Sequence, residues 1–95
     1  MTTTTTRGRG LAKAFYTKHE DPGHGWLQVE MAELVRLGLQ NRISRYSYCD
    51  GEKVYLEEDC DMSLFLMTKE RLGERIKINH KHTNHDSPIR NLMSY

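Results

Sequence analysis

The chain has 95 residues, 37% of them apolar and 28% charged, and a formal net charge of +1. That is one domain's worth of chain, able to bury about 60 to 65% of the surface its unfolded form exposes, with no room for a second core. Near-neutrality excludes a nucleic-acid binder that works by bulk electrostatics, and two cysteines, Cys49 and Cys60, are too few for a disulfide scaffold.

Residues 1–10, MTTTTTRGRG, offer almost nothing to pack and read as a disordered Thr/Arg/Gly arm, which leaves 11–95 as a single domain. The first nineteen residues carry four bases and no acid, a pattern that also weakly mimics a transit peptide or a nucleic-acid arm. Residues 20–62 then carry ten acids against four bases, and residues 63–95 six bases against three acids. Such segregation predicts a dipolar surface. No apolar run is long enough for a signal peptide or a membrane span, so the expectation is a cytoplasmic chain with reduced thiols and no membrane partner.

LAKAFYTKH reads as a strand with Phe15 and Tyr16 on opposite faces, and DPGHG reverses the chain into WLQV, giving a hairpin. Met31, Leu34, Val35 and Leu39 then recur at helical spacing, predicting a helix of about ten residues that Gly38 ends in a left-handed cap. ISRYSYCDGEKVYLEE predicts a second hairpin around Asp50-Gly51, whose two-residue or bulged three-residue turn leaves the pairing register open. EEDCDMSLFLMTKERLG predicts a second helix. Its leading acids complement the helix dipole, Asp59 or Asp61 is placed to cap free amides, and Gly73 follows the exit. ERIKINHKHTN alternates Ile76 and Ile78 with charged neighbours, as a half-buried strand does, and Ile89, Leu92 and Tyr95 are available to dock a short tail. The order β-β-α-β-β-α-β, with short connections, predicts an α+β fold: a small, mostly antiparallel sheet with two helices.

Four groups of residues could carry function. In DPGHGW, His24 between two glycines could approach a substrate or metal, but the simpler reading is a Pro22-Gly23 turn that lets Trp26 anchor the hairpin in the core. His80 and His82, on one face of a strand, could ligate zinc or copper with His85 or a cysteine completing the site. Glu57, Glu58, Asp59 and Asp61 lack the loop glycine and spacing of an EF-hand, yet could face a basic partner. Tyr46, Tyr48 and Tyr55, near Arg42 and Arg45, could stack bases, although tyrosines are ordinary sheet residues too. No GxSxG, HExxH, GxxxxGK[ST] or CxxC pattern occurs, so neither an enzyme nor a cofactor is expected.

Asp21-Pro22-Gly23-His24-Gly25-Trp26-Leu27, Leu37-Gly38-Leu39, Ile43-Ser44, Tyr46-Ser47-Tyr48, Tyr55-Leu56-Glu57-Glu58-Asp59-Cys60-Asp61 and Ser87-Pro88-Ile89-Arg90 together resemble a group of small bacteriophage, prophage and plasmid proteins. The likeness spans roughly residues 16–91. It brings no activity to carry over and implies only a mobile-element setting, in which small proteins commonly bind a host or phage macromolecule. The Thr-rich arm and the histidines at 80–85 depart from that pattern. The leading expectation is therefore a non-enzymatic module that binds a host or phage protein through Glu57, Glu58, Asp59, Asp61, Tyr46 and Tyr48. The alternative is a nucleic-acid binder using Arg7, Arg9, Arg42 and Arg45, and a weaker one is a metal-binding protein using His80, His82 and His85.

Overall fold

The computed structural model describes residues 13–95; the arm of residues 1–10, with Arg7 and Arg9, lies outside the described residues. Strands β1 (Lys13–Glu20) and β2 (Gly25–Glu30) form the first hairpin, antiparallel, with Thr17 opposite Gln28 and Glu20 opposite Gly25. Alternation sends Leu27 and Val29 into the core and lays the Tyr16 ring edge-on against Phe65 at 5.3 Å, while Phe15 on the other face stays 66% exposed.

Helix α1 (Met31–Leu37) has seven residues, fewer than the period suggests. Gly38, at φ 73°, ends it in a Schellman motif: its N–H reaches Val35 O, the Leu39 N–H reaches Leu34 O, and Leu34 and Leu39 meet in the core. Val35, expected on the buried stripe, is exposed, because two turns of helix present only one row to the sheet.

Strands β3 (Tyr48–Asp50) and β4 (Lys53–Glu57) pair with Tyr48 opposite Tyr55 and Asp50 opposite Lys53. The turn is therefore Gly51-Glu52, which fixes the register that the Asp50-Gly51 signal leaves open, and β3 is short because residues 44–47 form a fastened loop. Helix α2 (Asp61–Arg71) follows. Its entrance differs from expectation: Cys60 is the N-cap without a side-chain cap bond, and neither Asp59 nor Asp61 caps the helix. The Asp61 carboxylate instead accepts hydrogen bonds from Ser44 N, Ser44 Oγ and Ser47 Oγ at 3.0, 2.8 and 2.5 Å.

Strand β5 (Arg75–His82) runs parallel to β1, with Tyr16 opposite Ile78. A parallel pair needs a long crossover, and the chain from β2 through α2 supplies it. After a 3-10 turn at Pro88–Asn91, the two-residue strand β6 (Met93–Ser94) pairs with β3. The fold is α+β, a six-stranded, mostly antiparallel sheet in the order β5-β1-β2-β4-β3-β6 with two helices. Among the described residues no helix is long and apolar enough to cross a membrane.

The two faces of the sheet differ. Leu27, Val29, Val54 and Leu56 pack with Leu34, Leu39 and Phe65 from the helices. Side chains that alternate with these emerge opposite, and register puts cross-strand partners on the same face. One row there runs Lys81, His19, Trp26, Glu57, and the next runs Asn79, Thr17, Gln28, Tyr55, Tyr48. The C-terminal segment crosses this second face and buries Ile89.

Candidate functional site

The bend at Asp21 organises one end of the second face. Its carboxylate is buried; Oδ1 accepts from Gly23 N and His24 N, closing the turn locally, while Oδ2 accepts from Ser87 N at 2.9 Å and Arg90 Nε at 2.6 Å. The Arg90 guanidinium and these backbone amides hold the Asp21 carboxyl far below the usual carboxylate range. Gly25, next in the bend, has Glu58 and Lys18 so near that a Cβ would sit 2.8 Å from each, so a side chain there would push that ion pair aside.

Arg90, drawn in by Asp21, lies over the Trp26 ring, 5.4 Å from its centre. His24 packs on another side of Trp26 at 5.9 Å and Tyr48 meets it edge-on at 6.2 Å. Trp26 is thus a buried anchor as the sequence suggests, but on the sheet face opposite the helix-covered core cluster, because it alternates with Leu27. Around it opens a cleft of about 320 Å³. The bend supplies His24 and Trp26, the loop before β3 supplies Arg45 and Tyr46, the start of β3 supplies Tyr48, the end of β4 and its following turn supply Glu57, Asp59 and Cys60, and the C-terminal turn supplies Arg90.

The structure separates the acids that the sequence groups. Glu57 is buried, its Oε1 accepting from Asp59 N at 2.9 Å and its Oε2 lying 3.6 Å from His24 Nδ1. Glu58 pairs with Lys18 at 2.9 Å, Asp59 is exposed at the cleft, and Asp61 is buried under the Ser44–Ser47 loop. Tyr46 is 65% exposed at the rim, beside an exposed Arg45. Arg42 is exposed but outside the cleft.

The late histidines share a carboxylate. His80 Nδ1 lies 2.8 Å from Glu20 Oε2 and His82 Nδ1 3.9 Å from Glu20 Oε1, and the exposed His85 follows in the loop. Among the described residues the three-residue group whose ligand atoms all lie within 4.8 Å of one another is a different one, His24, Glu57 and Asp59. His82 also borders a second cleft of about 360 Å³, with His19 and Tyr55 beneath Pro88 and Ile89.

Sequence reading missed Arg90 as a site residue. It lies 69 positions from Asp21, and no local spacing signals that pairing. It also left His24 and Cys60 unjoined to the acids and tyrosines. No family model, curated protein or solved structure matches the chain.

Proposed function

We propose that the chain is a non-catalytic recognition module that seats a segment of a protein partner in the Trp26 cleft. The observation that carries this reading is the rim: exposed Tyr46 and Arg45 stand beside half-buried Tyr48, over a Trp26 floor. Tyrosine, tryptophan and arginine dominate interface energies when they line a concave site. Their loop is fixed in advance, since Asp61 holds Ser44 and Ser47 and the Ser94 hydroxyl donates to the Arg45 carbonyl, which lowers the ordering cost of binding. Cys60 is no candidate for a cysteine nucleophile in this cleft. Desolvation and the nearby Glu57, Asp61 and Asp59 carboxylates raise its thiol pKa, the reverse of what a thiolate nucleophile needs. The partner is a host or phage protein, met in the host cytoplasm, and it contacts Tyr46, Tyr48, Asp59 and Arg45 rather than the whole acidic run.

Quantitative co-purification of the tagged chain from its host tests this. Tyr46→Ala and Arg45→Ala should each lower recovery of one particular protein about tenfold, the effect of roughly 1.4 kcal/mol at an interface anchor, while Arg42→Ala leaves it unchanged. Recovery that ignores both cleft substitutions, or falls equally with Arg42→Ala, contradicts the reading.

A second reading, nucleic-acid binding, has one observation in its favour. Phe15 stands exposed opposite Lys77, with Arg75 and Lys81 on the same strand, an aromatic platform beside a basic edge. It predicts binding to a single-stranded oligonucleotide that falls steeply with salt and with Phe15→Ala. Binding that is absent or indifferent to salt removes it.

A further inference from the structure

The carboxylates of the described residues that are wholly or partly buried are, with one exception, compensated. Asp21 has Arg90, Glu20 and Glu58 share Lys18, Glu33 and Glu74 share Lys69 and Arg36, and Asp61 accepts from two hydroxyls and an amide. Glu57 is the exception. It is 8% exposed and accepts one backbone N–H, with only the exposed His24 imidazole at 3.6 Å and the Cys60 thiol beside it, and no lysine or arginine among the described residues pairs with it. A buried carboxylate left so is costly, and Asp59, also without an ion pair, brings a second negative charge to the same place.

The geometry points to a divalent transition-metal site formed by His24, Glu57 and Asp59. Ligand atoms of the three residues lie within 4.8 Å of one another, and His24 Nδ1 is 3.6 Å from Glu57 Oε2. Neighbouring ligands around a tetrahedral ion with bonds of about 2.0 to 2.2 Å are separated by about 3.3 to 3.6 Å, so small rotations of the exposed His24 and Asp59 close the set. One imidazole nitrogen and two carboxylate oxygens suit zinc or manganese; calcium prefers six to eight oxygens. Both halves are held in place before an ion arrives: Asp21 accepts from the His24 amide, and Glu57 is locked in the ladder opposite Trp26. The site opens into the cleft, so an ion held by three protein ligands keeps a position for water or a partner's donor atom. The site shares the cleft and Asp59 with the partner reading but does not rest on it, because the chain alone supplies its ligands.

Titration calorimetry with zinc ion, on chelator-treated protein freed of any affinity tag, decides it. The expected result is one equivalent bound, weakened at least tenfold by His24→Ala and by Asp59→Asn, both at exposed positions that should leave folding intact, and unaltered in a His80→Ala/His82→Ala variant. Circular dichroism of each variant verifies the fold. No binding to the parent chain overturns the site and leaves the two carboxylates to a basic side chain of a partner. Binding that survives both cleft substitutions, or is lost in the late-histidine variant, overturns it equally.

Discussion

Asp21 joins the two ends of the domain through a single carboxylate. Removing it as Asp21→Ala strands the Arg90 guanidinium and three backbone amides, and should cost about 3 kcal/mol in denaturant unfolding, whereas Asp21→Asn keeps one acceptor and costs less. Acid stability follows the same side chain. Asp21 and Glu74 are more acidic in the folded chain than unfolded, Asp21 first through Arg90, and Glu74 down to about 2 through Arg36 and then Lys69; Glu33 is also lowered, burial being outweighed by Lys69 and Arg36. As pH falls the unfolded chain therefore takes up protons first. Their stabilisation is complete above about pH 5, roughly a unit over the unfolded carboxylate values, and is lost progressively as pH falls, to about pH 2 for Glu74 and further still for Asp21. Urea midpoints measured across that window should fall with acid, and the fall should be shallower in Asp21→Asn. At this scale the sequence is legible for Trp26, whose bulk after a tight turn marks an anchor, but not for Arg90 or Asp61, whose partners lie on other elements.

Among the elements, α1 and α2 are tied by charge as well as by packing. Lys69 is buried, 2.5 Å from Glu33 and 2.7 Å from Glu74, with its ammonium near the Tyr16 and Phe65 rings. Burial disfavours its charge, but Glu33 and Glu74 more than offset this and raise its pKa. Lys69→Ala should cost about 3 kcal/mol, since it opens a cavity and leaves both carboxylates to Arg36, while Lys69→Met, which keeps the volume, should cost less. A helix of seven residues is too short to persist alone, so α1 depends on this tie and on its cap. Gly38→Ala meets no atom within 4 Å and should lose only the conformational term at φ 73°, about 1 kcal/mol by thermal unfolding. Helical period and terminal glycines made both helices legible. The acid run misled at the α2 entrance because local charge rules place carboxylates at a helix start, whereas tertiary contacts recruited Glu57 to a strand and Asp61 to a serine loop.

Across the whole molecule, alternation and turn residues predicted five strands and the α+β class, but the parallel union of β1 with β5 and the two-residue β6 depend on contacts distant in sequence. The charge blocks of the chain mix where Lys18 meets Glu58, Arg90 meets Asp21 and Lys69 meets Glu33, but part of the segregation remains. Arg75, Lys77 and Lys81 lie on the β5 edge, while Glu57 and Asp59 lie beside β2, about 10 Å or more across the sheet. Lysines on an edge strand also discourage pairing with a second copy. Lys77→Val/Lys81→Val should therefore raise self-association, visible as a concentration-dependent mass in light scattering.

A photo-crosslinking residue placed in turn at position 46 in the cleft and at position 35 on exposed α1, in host cells, separates the cleft from the rest of the surface most directly. Recognition at the Trp26 cleft predicts an adduct with one protein from position 46 that is missing from position 35. Equal adducts from both positions, or adducts from position 35 alone, would place recognition elsewhere on the molecule.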